Sequence, residues 1–128
     1  MSSPSQLDQA QSWLVLKFGG TSVSSAANWH NIAQVLRTRL AERFRPVVVH
    51  SALTGITDRL ESLMSTAMTG THAPVLEHIE AAHRELAVRL GIVPNAQFES
   101  FMRELRNMAA SLAERQLEKE LRDIFEDD

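Results

Sequence analysis

Trp13-Leu14-Val15-Leu16-Lys17-Phe18-Gly19-Gly20-Thr21-Ser22-Val23 begins as an apolar run interrupted only by Lys17 and ends in two glycines followed by small polar residues. A short run of this kind, stopped by a turn signal, predicts a strand over 13–18 that is buried on both faces. Beyond it, Ala26, Trp29, Ile32, Ala33, Leu36 and Leu40 recur at the spacing of one helical face. Ser24 or Ser25 is the expected N-cap of that helix. Pro46 is expected to close it, and Val47-Val48-Val49-His50 then reads as a second, β-branched strand. Strand, helix and strand in this order predict a parallel pair with a right-handed crossover.

The remainder reads as helical. A helix beginning near Thr57 or Asp58 carries Leu60, Leu63, Met64 and Ala67 and ends in Thr69-Gly70-Thr71-His72-Ala73-Pro74. A third aligns Val75, Leu76, Ile79, Ala82, Leu86 and Leu90 and is stopped by Gly91 and Pro94. A fourth uses Phe98, Phe101, Met102, Leu105, Met108, Ala109 and Leu112, and resumes at Leu117, Leu121, Ile124 and Phe125. No internal repeat or low-complexity segment interrupts this order. The fold class is therefore α/β, a parallel β-α-β start followed by a helical segment. Two parallel strands make a poor sheet alone, because both edges keep unpaired backbone groups. The reading that follows is an N-terminal piece of a longer chain, with residues 1–12 flexible or disordered and 13–128 forming the beginning of a larger domain.

Composition narrows the class. The chain has 128 residues, 44% hydrophobic and 23% charged, and no cysteine. That excludes a disulfide scaffold, a thiolate zinc site and a catalytic thiol, and fits a reducing compartment. The net charge of −3 argues against general attraction to nucleic acid. The charge is uneven: residues 1–60 hold six Lys/Arg and three Asp/Glu, residues 61–128 seven and thirteen, so the halves carry +3 and −6. An anionic ligand suits the first half. Met1 to Ser12 lacks the pattern of a signal peptide, and no apolar run approaches the roughly 20 residues that span a bilayer. A soluble, cytoplasmic protein with neither nucleic-acid nor membrane partner is expected.

The chemistry concentrates where the strands end. Ligands of open α/β sheets bind beyond the carboxyl ends of the strands. Gly19 and Gly20 let the backbone approach a ligand and present N–H groups, Lys17 adds positive charge, and a following helix contributes the positive end of its dipole. Together these would bind phosphate. The spacing is neither GxxxxGK[ST] nor GxGxxG, and the competing reading is a tight turn whose glycines serve packing alone, with Lys17 at the surface. The second strand exits into Ser51-Ala52-Leu53-Thr54-Gly55-Ile56-Thr57-Asp58. In a parallel pair this loop neighbours the first, so Ser51, Thr54 and Thr57 would hydrogen-bond a second ligand; equally, Thr57 is a plausible N-cap and the others ordinary loop residues.

Lys17-Phe18-Gly19-Gly20-Thr21-Ser22-Val23 closely resembles the N-terminal motif of aspartokinases, members of the amino acid kinase superfamily. The family's strand ending in serine and its Ala-x-x-Gly-x-Thr loop are matched by Ser51-Ala52-Leu53-Thr54-Gly55-Ile56-Thr57. The phrases around Ala26-Asn28-Trp29 and Val47-Val48-Val49-His50-Ser51 look most like the kinase portion of bifunctional aspartokinase/diaminopimelate decarboxylases. The resemblance implies the N-terminal part of a three-layer amino-acid-kinase fold. It also implies ATP-dependent phosphorylation of the side-chain carboxylate of L-aspartate to 4-phospho-L-aspartate, on the route to lysine, threonine and methionine, with ATP and Mg²⁺ as cofactors. Carried over by position, Lys17 is the catalytic residue holding the transferring phosphoryl group. Phe18, Gly19 and Gly20 join it in binding nucleotide phosphates, and Thr21, Ser22, Ser51 and Thr57 face the aspartate. No residue is assigned to a metal.

The likeness covers residues 13–60 by motif and the helices to 128 by layout. The family's later Gly-Glu segment, nucleotide-base strands and ACT regulatory domains have no counterpart, so the 128 residues alone are expected to be inactive. Alternatives are another amino acid kinase, acting on glutamate, carbamate or a nucleoside monophosphate, and a helical interaction module. A homo-oligomer is compatible with either. His72, His78 and His83 lack the spacing of a zinc pair and read as surface histidines. Glu114, Glu118, Glu120, Asp123 and Glu126 read as a solvated face, and Phe98, Phe101 and Met102 as core or subunit contact.

Overall fold

The computed structural model describes residues 12–126; residues 1–11 and 127–128 lie outside the described residues, and with them most of the expected flexible N-terminus. Two compact units divide the chain at Thr54/Gly55. In the first, strand β1 (Trp13–Phe18) pairs in parallel with β2 (Arg45–His50), in the register Trp13↔Arg45 to Phe18↔His50. The short helix α1 (Gly20–Val23) and helix α2 (Ala26–Ala41) connect them.

Strand alternation sorts the side chains of this unit. Leu14, Leu16 and Phe18 are half-buried on one face, and Trp29 of α2 meets His50 edge-on at 6.1 Å on that same face. Trp13 and Val15 point to the other face and are 67% and 65% exposed. The expectation of a strand buried on both faces is thus corrected: α2 covers one face, and the other presents Trp13, Val15, Lys17, Val47 and Val49. Arg45 stacks over the Trp13 ring at 5.3 Å on that open side.

Of the two serines expected to cap α2, Ser25 does so, its side chain accepting from the Asn28 N–H at 3.2 Å. The other end of the helix differs from the sequence reading. Pro46 does not end α2. Arg43 does, by adopting a left-handed conformation with φ 71°. The Arg43 N–H then reaches the Leu40 carbonyl at 2.9 Å and the Phe44 N–H the Arg39 carbonyl at 3.1 Å, which satisfies the last turn. Pro46 instead lies inside β2 opposite Leu14. The Arg45 and Ser51 N–H groups donate across the pair, to Ser12 and Phe18. Even-numbered positions of β2 therefore direct their nitrogens away from β1, so Pro46 removes no ladder bond.

The second unit contains α3 (Ile56–Met68), α4 (Ala73–Leu90) and α5 (Ala96–Glu126). Leu63, Ala67, Leu76 and Ala109 form its core, with Val75, Leu105 and Leu112 packed against them. The fourth helical pattern does not pause and resume but runs unbroken for 31 residues. Leu60 and Met64, placed on the apolar stripe of α3 by spacing, are exposed. Met102 is 2% exposed and Phe98 half-buried, but Phe101 faces solvent.

Charge fastens α4 to α5. The Glu80 carboxylate accepts from Arg84 on its own helix at 2.9 Å and pairs with Arg106 of α5, and Arg84 reaches Glu99 at 2.8 Å while lying over the Phe98 ring. Hydrogen bonds from Arg106, then Arg84, hold the Glu80 carboxyl below the usual glutamate range, and Arg84 does the same for Glu99. His83 is half-buried rather than a surface residue: its Nδ1 donates to the Ile79 carbonyl at 2.7 Å, and its ring meets Phe98 at 5.9 Å. His72 is half-buried too, at the start of α4, whereas His78 is exposed. Glu114, Glu118, Glu120, Asp123 and Glu126 are exposed along α5.

Candidate functional site

The two strand exits lie side by side in the first unit. β1 ends at Phe18, Gly19 remains extended (φ −77°, ψ 175°), and α1 begins at Gly20. Because the extended conformation continues, Gly19 lies on the same side as Lys17, the face that α2 leaves open. Lys17 is exposed and makes no ion pair among the described residues.

The two glycines have different work. A Cβ at Gly20 would stand 3.1 Å from the Ala52 carbonyl oxygen, whereas one at Gly19 would meet nothing within 4 Å. Gly20 therefore permits the close approach of the two loops, as the packing alternative requires. Gly19 needs no positive φ, and a Cβ there would meet no neighbour, so within this unit the place its side chain would take is open space. No side chain caps the N-terminus of α1. Its first amides lack the usual internal acceptor and suit an anion.

The loop after β2 is held against this segment by three contacts. The Ser51 N–H donates to the Phe18 carbonyl at 3.1 Å, Ala52 lies over Gly20, and the Thr54 N–H donates to Ser24 Oγ at 2.8 Å. Ser24 Oγ in turn donates to the Gly20 carbonyl and lies 2.9 Å from Thr54 Oγ1. Helix α2 braces the other side: Asn28 Nδ2 donates to the Thr21 carbonyl at 3.1 Å and Trp29 Nε1 to the Val23 carbonyl at 2.6 Å. His50 Nδ1 lies 2.9 Å from the Ser51 carbonyl. A carbonyl can only accept, so this nitrogen carries the proton.

The hydroxyls of the site divide accordingly. Those of Ser24, Ser25 and Thr54 are committed to structure. Those of Thr21, Ser22 and Ser51 make no hydrogen bond among the described residues. The first unit thus brings together Lys17, Phe18, Gly19, Gly20, Thr21, Ser22 and Ser51. Thr57 stands in the first turn of α3 in the second unit, exposed. It does not cap that helix: Gly55 does so, in a left-handed conformation with φ 81°.

The electrostatics favour an anion. Within residues 12–54, Lys17, Arg37, Arg39, Arg43 and Arg45 face one carboxylate, Glu42, which is paired with Arg39 at 2.8 Å. Among the described residues of this unit Glu42 is the one carboxylate, and among the described residues no group of three or more His, Asp and Glu could hold a metal ion. Among the described residues no helix is long and apolar enough to cross a membrane.

The amino acid kinase family profile matches residues 12–128. The chain belongs to the amino acid kinase family. An aspartokinase of Chlamydia trachomatis is 36% identical over 86 residues, which cover 67% of this chain and 19% of the relative. The chloroplastic bifunctional aspartokinase/homoserine dehydrogenase 2 of Arabidopsis thaliana is 30% identical over 109 residues, covering 84% of this chain and 12% of its own. The chain spans less than a fifth of the length of either relative. Within this amino acid kinase family member, the parallel β1–β2 pair followed by helices is the start of the family fold, as the resemblance implied.

Sequence reasoning missed Ser24, which it treated only as a rival N-cap. A serine thirty residues before a threonine carries no local signal of contact; only the pairing of β1 with β2 brings them together.

Proposed function

We propose that the first unit is the phosphate- and acceptor-facing start of an aspartate kinase, which transfers the γ-phosphoryl group of ATP to the side-chain carboxylate of L-aspartate to give 4-phospho-L-aspartate. The observation that carries this reading is the division of labour at the two loops. Gly20, Ser24 and Thr54 hold the loops together, while beside them Lys17, the Gly19 N–H and the Ser51 hydroxyl have no partner among the described residues. The names of the relatives support aspartate as the acceptor.

The chemistry asks little of a protein beyond placement and charge. The aspartate carboxylate is ionised at neutral pH and attacks phosphorus without a general base, so catalysis is mainly positioning and neutralisation of charge on the phosphoryl oxygens. Lys17 supplies positive charge to the transferring group. Gly19 and Gly20 offer backbone N–H groups to the nucleotide phosphates, with Phe18 fixing the strand end from which they emerge. Ser51, Thr21 and Ser22 donate hydroxyls toward the acceptor, and Thr57 belongs to the same reading through the family motif. Mg²⁺ is expected to accompany ATP; among the described residues of the first unit the one carboxylate, Glu42, is paired with Arg39, so no step is assigned to the ion. A cytoplasmic setting and the pathway to lysine belong to this proposal, as does the narrower likeness to aspartokinase/diaminopimelate decarboxylases, which rests on the phrases around Ala26-Asn28-Trp29 and Val47-Val48-Val49-His50-Ser51.

The test is L-aspartate-dependent release of ADP by the natural protein that carries these residues, with and without Lys17→Ala. Loss of turnover in the variant is expected. Unchanged turnover overturns the role of the loop, and preference for glutamate, carbamate or a nucleoside monophosphate reassigns the acceptor within the family.

A further inference from the structure

The hydrogen-bonding capacity of the Ser24 hydroxyl is fully used. A serine hydroxyl has one proton to give and two lone pairs to accept with. Its proton goes to the Gly20 carbonyl and one lone pair takes the Thr54 N–H at 2.8 Å. The contact of 2.9 Å to Thr54 Oγ1 is then made by the threonine proton, which fixes the direction of that bond as well. One side chain thus holds both the backbone and the side chain of Thr54 against the first residue of α1.

We propose that Ser24 is a positioning residue: through Thr54 it holds the Ser51–Thr54 loop at a set offset from the Gly19–Gly20 amides, and so couples the acceptor side of the site to its phosphate side. The functional consequence rests on the kinase reading above; the coupling itself rests on the hydrogen bonds. Without the hydroxyl, the Phe18–Ser51 backbone bond and the contact of Gly20 with Ala52 remain, and both lie toward the β2 end of the loop. The Thr54 end then keeps only packing against Gly20 and no hydrogen bond to this segment, and its N–H turns to water.

The experiment uses amide NMR on the 128-residue chain, comparing Ser24→Thr with Ser24→Val, a pair matched in shape that differs in the hydroxyl. Loss of this hydrogen bond is expected to speed hydrogen exchange at the Thr54 amide about tenfold in Ser24→Val while Ser24→Thr stays near the native rate. Exchange in the middle of α2 should be equal in both and reports whether the unit is folded. Inorganic phosphate is then titrated into each. Shifts at Gly19 and Gly20 should reach Thr54 in the native chain and in Ser24→Thr, and stop at the glycine loop in Ser24→Val. Equal Thr54 exchange in the two variants, or a phosphate-dependent shift at Thr54 that survives in Ser24→Val, overturns the proposal. If phosphate moves neither loop in the native chain, the kinase reading of the glycines fails, while the exchange comparison still decides the role of Ser24.

Discussion

Gly20 lies against the Ala52 carbonyl so closely that a Cβ would stand 3.1 Å from the oxygen, while its neighbour Gly19 faces open space to 4 Å. Two adjacent glycines, indistinguishable in the sequence, therefore separate under one substitution. Gly20→Ala must push the Ala52 backbone outward and is expected to lower stability by about 1–2 kcal/mol. Gly19→Ala is expected to leave stability unchanged within about 0.5 kcal/mol yet weaken phosphate binding, because its new methyl group occupies the space before the amide. Urea denaturation and a phosphate titration of both variants check the contrast.

Lys17 is exposed and without an ion pair among the described residues, so Lys17→Ala should leave the melting temperature unchanged. Loss of one charge-assisted contact should weaken ATP binding about tenfold or more. Isothermal titration with ATP, beside a thermal melt, would separate a binding role from a structural one.

Arg43 closes α2 with φ 71°, a conformation that favours glycine; Gly70 and Gly91 occupy the equivalent position after α3 and α4, with φ 71° and 69°. Removing the Cβ relieves the left-handed penalty, and Arg43→Gly is expected to stabilise the chain by about 0.5–1 kcal/mol. A fall in the denaturation midpoint would show that the arginine side chain makes a compensating contribution.

Glu80 and Glu99 have carboxyls held below the usual glutamate range by their arginine partners. A depressed folded-state value means that the unfolded chain binds protons first. The contribution of the pair is therefore complete above the usual glutamate range and is lost as pH falls through the lower folded-state values. Melting temperatures measured from pH 6 to pH 3 should drop less for Glu80→Gln than for the native chain, and the difference should shrink in high salt.

The matched residues cover less than a fifth of either aspartokinase relative, and among the described residues the first unit holds one carboxylate, already paired. Aspartate-dependent turnover is expected to be absent from this chain alone. A coupled ADP-release assay that detects it would require an acceptor site built entirely within these residues.

Local patterns carried most of the fold. The run Trp13–Phe18 is a strand with the expected bounds, the two strands pair in parallel, and the helices fall where the apolar stripes place them, because strand and helix periods are written into consecutive residues. Boundaries were less legible. Arg43 ends α2 without glycine, and Gly55 caps α3 in place of Thr57, since both depend on backbone conformations that arginine and glycine do not announce. The proposed site residues Lys17, Gly19 and Ser51 are legible by type and by position at strand ends. Which of the surrounding hydroxyls and glycines are structural is not, because that depends on contacts across thirty residues of sequence. Chain pattern thus set the elements and the family. Packing of one strand exit against the other assigned Gly20, Ser24 and Thr54 to holding the two loops together and left Lys17, the Gly19 N–H and the Ser51 hydroxyl without a partner among the described residues, since close approach and hydrogen-bond saturation exist only between segments brought together in space.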